Sequence, residues 1–132
     1  MKAQILILVA VSLLVASLAQ AGPALDSLLQ SYQTQGVSHA DAEAGKRFWN
    51  ERFMVKGEAR QCASCHTREP RNAGKHTSTG KPIEPMAPSV NAERLTDIDK
   101  INKWFKRNCK WTLGRECTAQ EQADVLVYLK DR

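Results

Sequence analysis

Residues 62–66 read Cys62-Ala63-Ser64-Cys65-His66, and the reading of this pentapeptide decides the fold. Cys-x-x-Cys followed directly by His is the attachment pattern of a c-type haem. The spacing has a chemical reason. Two thiols at this separation reach the two vinyl groups of one porphyrin and become thioethers, and the adjacent imidazole then lies beneath the macrocycle as the proximal iron ligand. Three other chemistries compete. A dithiol oxidoreductase needs a βαβ context, and no such pattern surrounds the motif. A zinc site needs further ligands; His76 is available, but a second Cys-x-x-Cys is not. A structural disulfide between Cys62 and Cys65 leaves His66 without a role. Covalent haem accounts for all three side chains.

The rest of the chain suits that reading. At 132 residues it holds one small domain, and 42% hydrophobic with 25% charged residues marks it as globular rather than disordered. Aromatic residues make up only 6%, so a haem would supply apolar bulk that the side chains do not. On the N-terminal side of the motif, Leu25, Leu28, Leu29 and Tyr32 follow helical spacing, ended by residues 33–37 with Gly36. A second helix is expected to open at Ser38, with Asp41 three residues on, and to carry Ala44, Gly45, Phe48, Trp49 and Phe53. On the C-terminal side, residues 67–91 lose every helix signal to Pro70, Pro82, Pro85, Pro88, Gly74 and Gly80 and read as a long extended loop. A third helix opens at Thr96 with the face Ile98, Ile101, Trp104 and Phe105. A fourth opens at Thr118 with Glu121 at the capping-box position and continues through Ala123, Val125, Leu126 and Leu129. No strand pattern is evident. The expectation is an all-α domain wrapped around one covalently bound haem. The order of helix, haem motif, long loop and two helices resembles class I cytochromes c, in which the first and last helices cross near a small residue. Gly45 against Ala123–Leu126 would serve.

The first 21 residues read as a secretory signal peptide: Met1-Lys2, an apolar run from Ile5 to Leu18, and the small-x-small site Ala19-Gln20-Ala21. An uncleaved membrane anchor is the alternative, weakened by a run short for a span. The expected organisation is a signal peptide over 1–21, an N-terminal helical extension over 22–37 and a haem domain over 38–132. The expected compartment is the periplasm, with no stable membrane insertion after cleavage. There Cys109 and Cys117, which bracket a loop from Lys110 to Glu116 containing Gly114, are expected to form a disulfide.

The sixth iron ligand is open on the residues alone. Met86 is the obvious soft donor, since methionine usually fills this position in class I cytochromes c, but it lies only 20 residues beyond His66. Asn108 continues the apolar stripe Ile101–Trp104 at helical spacing; a helix C-terminal cap would explain it equally well. His39 and His76 read as exposed histidines. Trp104, Phe105 and Trp111 are candidates for keeping a distal pocket dry. The net charge of +5 and lysines such as Lys100, Lys103, Lys106 and Lys110 give a basic rim suited to an acidic redox partner; a nucleic-acid partner is not expected.

The runs Trp104-Phe105-Lys106-Arg107-Asn108-Cys109, Leu113-Gly114-Arg115-Glu116-Cys117-Thr118 and Ala123-Asp124-Val125 before Tyr128-Leu129 closely resemble the sphaeroides haem protein family of oxygen-binding monohaem cytochromes c. Pro85 to Asn91 and Arg94 to Asp97 are similar too, and the likeness spans about Gly57 to Leu129. The resemblance implies haem attached to Cys62 and Cys65, His66 as proximal ligand, Asn108 as distal ligand and a Cys109–Cys117 disulfide; Met86 matches no ligand of the family. It further implies that asparagine leaves on reduction and opens a site for a diatomic molecule, O2 or NO. The implied electron donors are dihaem c-type and membrane b-type cytochromes. Two rival functions remain on the sequence: a plain electron carrier with His66–Met86 ligation, and a haem enzyme turning over O2 or NO.

Overall fold

The computed structural model describes residues 22–132, so the expected signal peptide lies outside the described residues. Helix α1 (Pro23–Thr34) starts with proline in its first turn and buries Leu25, Leu28 and Tyr32, the stripe its spacing predicts. Helix α2 (Ala42–Asn50) begins later than expected. Its cap is Asp41 rather than Ser38, with the Asp41 carboxylate accepting from the Glu43 N–H at 2.8 Å. The choice is tertiary: the Asp41 N–H donates to the buried Asp124 carboxylate at 2.8 Å, 83 residues away.

Phe53 falls outside α2, in the first of four short strands that the sequence reading missed. Strands β1 (Phe53–Val55) and β2 (Glu58–Arg60) form an antiparallel hairpin, pairing Phe53 with Arg60 and Val55 with Glu58. The two linking residues, Lys56 (φ 53°) and Gly57 (φ 81°), both hold positive φ, the geometry of a tight hairpin turn that glycine favours. Helix α3 (Ala63–His66) is a single turn carrying the motif. The following loop is not simply extended, because β3 (Gly74–Lys75) and β4 (Pro82–Ile83) close a second small hairpin within it.

Helix α4 (Ile98–Leu113) is capped by Asp97, one residue after the expected start, and ends at Gly114 in the left-handed conformation (φ 75°). Lys110 to Leu113, expected in a loop, belong to this helix. Helix α5 (Ala119–Lys130) opens with the expected capping box between Thr118 and Glu121.

The core lies where α1, α2 and α5 meet; Leu25, Tyr32, Trp49, Leu126, Tyr128 and Leu129 are all buried there. The α2–α5 crossing is a close one. A Cβ added at Gly45 would run into the Asp124 carbonyl and stand 2.9 Å from Tyr128 Cβ, so only glycine permits this approach. Asp124 closes the same seam by accepting from Gln120 Nε2 at 2.8 Å, and Gln120 also donates to the His39 carbonyl at 2.8 Å. The α-helical class and the crossing at Gly45 are thus both observed.

Candidate functional site

The motif helix is too short to hold itself, and the α2–α5 frame fixes its exit. Trp49 Nε1 donates to the Thr67 carbonyl at 2.8 Å, and the Tyr128 hydroxyl donates to the Arg68 carbonyl at 3.3 Å. The Trp49 ring lies 5.5 Å from the His66 ring. Thr67 takes φ 65°, a costly value for a β-branched residue, which turns the chain sharply away just after His66. Strand β3 closes from the other side: a Cβ at Gly74 would strike the Cys65 carbonyl.

The site's chemistry follows from this burial. His66 is pushed down to about 4, chiefly because it is buried and further because Arg94 and His76 add positive charge nearby. Its imidazole is therefore neutral at neutral pH, the form that binds metals. Its Nδ1 is buried without a hydrogen-bond partner among the described residues. Cys62 and Cys65 are free thiols rather than a mutual disulfide, and burial pushes Cys62 up to about 12. A neutral buried imidazole beside two unpaired thiols is the donor set that a c-type haem requires. Among the described residues no three His, Cys, Asp or Glu side chains group as metal ligands.

The loop after the motif folds back on itself. The Met86 and Ala87 N–H groups both donate to the Pro70 carbonyl, at 2.8 and 3.0 Å. Arg94 donates to the carbonyls of Pro85 and Glu84, both at 2.9 Å. Met86 itself packs against the hydrophobic core cluster. His76 Nδ1 accepts from Ser78 and Thr79 N–H groups in the hairpin tip, and His39 is exposed.

Helix α4 carries the second half of the site. Asn108 is half-buried and lies five residues before the helix end, so it is not a C-terminal cap; Gly114 fills that role. Its amide makes no hydrogen bond among the described residues. It follows Ile101 and Trp104 and precedes Trp111 on one stripe. Trp104 is 49% exposed and Trp111 37%, while Phe105 turns towards the core cluster, so the three aromatic candidates separate. Cys109 and Cys117 are bonded to each other, with Cα atoms 5.6 Å apart. Sequence reasoning missed Trp49, Arg94 and Arg60. Arg60 donates to the Trp111 carbonyl at 2.8 Å and stacks over the Trp111 ring, 4.8 Å from its centroid. No local sequence signal marks these residues, because each acts across the fold.

A Cys-x-x-Cys-His turn, clasped by a helical frame behind and a folded loop in front, defines a c-type cytochrome domain. A family model described as a domain of unknown function, DUF1924, matches residues 35–129. The cytochrome c-type protein SHP of Cereibacter sphaeroides is 38% identical over 123 residues, covering 88% of this chain and 95% of that protein. The structure of oxidized SHP, an oxygen-binding cytochrome c, matches with a TM-score of 0.76 at 36% identity, covering 82% of this chain and 96% of that one. Cytochrome c'' of Methylophilus methylotrophus is 46% identical over 86 residues, which is 64% of this chain but only 60% of that protein's length. Its solution structure, which concerns haem-ligand detachment, matches with a TM-score of 0.73 at 37% identity, covering 82% and 93%. The chain belongs to the sphaeroides haem protein family of c-type cytochromes. Membership implies haem c as its cofactor.

Proposed function

We propose that this chain is an exported monohaem cytochrome whose distal ligand, Asn108, is bound in the ferric state and released in the ferrous state. Cys62 and Cys65 would hold the haem through thioethers and His66 would be the proximal ligand. The haem supplies an iron that accepts an electron and, when one position is free, takes up a diatomic molecule such as O2 or NO. The observation that carries the proposal is the place of Asn108. It stands inside α4, half-buried on the stripe of Trp104 and Trp111, with the alternative of a helix cap removed.

The ligand's chemistry gives the gate its direction. An amide oxygen is a hard donor suited to ferric iron and poorly suited to the softer ferrous state. Asn108 would therefore hold the ferric iron better than the ferrous, and its amide N–H groups would supply hydrogen-bond donors once it is released. Trp104 and Trp111 flank it as apolar neighbours. Met86, tied at its backbone to Pro70 and packed on the core, serves the fold. The basic rim would meet acidic cytochrome partners, dihaem c-type or membrane b-type, in the periplasm. No helix among the described residues is long and apolar enough to cross a membrane.

Spectra of the haem-loaded protein test the assignment. Dithionite reduction without oxygen should give a high-spin ferrous haem that takes carbon monoxide at once, and Asn108→Ala should raise the cyanide affinity of the ferric protein. A haem that stays low-spin in both states, ignores carbon monoxide and shows the ferric methionine–iron charge-transfer band would make Met86 the ligand and the protein a plain electron carrier. Catalytic consumption of O2 or NO by the reduced protein would make it an enzyme.

A further inference from the structure

Arg60 lies two residues before Cys62 and reaches the far end of the helix that carries Asn108. It is the only residue before the motif whose side chain hydrogen-bonds α4 among the described residues. Its guanidinium makes two contacts there and a third within its own hairpin. One Nη donates to the Trp111 carbonyl at 2.8 Å, its plane covers the Trp111 ring at 4.8 Å, and the other Nη pairs with Glu58 at 2.9 Å. The side chain is only 18% exposed, and its Nε is buried without a partner. The Trp111 carbonyl is one of the last four in α4, which have no partner within the helix. A cation placed there satisfies that oxygen and suits the negative end of the helix dipole.

Two further ties hold the same end. Val55, at the turn of the β1–β2 hairpin, packs against Gly114, where a Cβ would stand 3.5 Å from its methyl carbon. Cys109 is bonded to Cys117 ahead of α5. Asn108 lies one turn before Trp111 and directly before the disulfide residue Cys109.

We propose that Arg60 is a positioning residue for Asn108. By binding the Trp111 carbonyl and ring from a point two residues before Cys62, it fixes the separation between the haem-attachment segment and the α4 backbone. Asn108 then leaves and returns by rotation of its own side chain over a fixed backbone. Lysine cannot reproduce the contact, because it lacks both the planar face and the fork that joins Glu58 to Trp111. The inference rests on Asn108 being the distal ligand.

The test uses the haem-loaded protein with Arg60→Gln, and with Arg60→Lys should the first fail to fold, each read by cyanide binding in the ferric state and carbon monoxide binding in the ferrous state. Arg60→Gln should raise ferric cyanide affinity on the order of tenfold, equivalent to about 1.4 kcal/mol, and Arg60→Lys should move it the same way by less. Ferrous carbon monoxide affinity should stay unchanged, because Asn108 is already released. In an Asn108→Ala background, Arg60→Gln should add nothing to cyanide affinity. A lower melting temperature with unchanged cyanide affinity, while Asn108→Ala still raises it, leaves Arg60 a purely structural residue and overturns the inference. No response to Asn108→Ala overturns the ligand assignment, and the Arg60 role falls with it.

Discussion

The α2–α5 crossing and the C-terminal end of α4 both hold a helix against a neighbour, by opposite means. At the crossing the backbones touch. Gly45 lies against the Asp124 carbonyl, Tyr128 and Trp49 are buried beside it, and Asp124 is satisfied by hydrogen bonds from Asp41 and Gln120. At the end of α4 the ties are a disulfide, a stacked arginine and a hairpin edge, while Trp104 and Trp111 keep large exposed surfaces. Close backbone packing leaves no second arrangement, so the crossing can only serve as a frame. Point ties fix a backbone yet leave side chains on the free face able to move. The second region is where Asn108, the proposed distal ligand, lies.

The comparison breaks hardest at Gly45. Gly45→Val places two methyls and a Cβ into a backbone carbonyl that cannot step aside, and should cost about 3 kcal/mol or more. Urea unfolding of the haem-loaded protein measures it; a variant with the parent midpoint would mean that the crossing is looser than described. The disulfide comes next. Replacing Cys109 and Cys117 by serine opens a loop with a sequence separation of 8 and should cost about 2–3 kcal/mol by the loop-entropy argument. The far-UV circular dichroism should remain that of the parent, since the frame does not depend on this bond. A collapse of helical signal would show that the two regions are not separable.

How far each region was legible from sequence follows the same division. α1 and α5 could be read because their signals are local: the stripe Leu25–Leu28–Tyr32, and the capping box between Thr118 and Glu121. The start of α2 could not, since Asp41 was selected over Ser38 by a carboxylate 83 residues away. Strands β3 and β4 have two residues each, too few for any alternation to appear. The turn at Lys56-Gly57 did carry a hairpin signal, and it was missed because the flanking strands have only three residues each. The Cys-x-x-Cys-His motif was legible because five adjacent residues carry it. Asn108 remained ambiguous between ligand and cap, because Cys109 and Gly114 both suggested a loop. Gly114 alone ends the helix, which leaves Asn108 in the helix interior and removes the cap reading. Arg60 had no signal at all: 51 residues separate it from Trp111.

The smallest expected effect lies on the seam between the two regions. Arg115, in the disulfide loop, donates to both carboxylate oxygens of Glu121 at 2.6 and 2.8 Å, and Glu121 also accepts from the Thr118 N–H at 2.8 Å. These bonds, the arginine's foremost, hold the Glu121 carboxyl below its ordinary range. A carboxylate with a depressed folded-state pKa stabilises the fold above its unfolded pKa, and the contribution disappears as pH falls through the folded value. Arg115 is half exposed and Glu121 partly so, and solvent screening keeps the pair's contribution to about 1 kcal/mol or less, the capping bond included. Glu121→Gln should therefore lower the urea midpoint slightly at pH 7. At pH 3 the gap between parent and variant should narrow, because protonation removes the same charge from the parent. An equal gap at both values would mean that the capping geometry rather than the charge does the holding. The loop end of α4 would then be tied to α5 by the Cys109–Cys117 bond without electrostatic help.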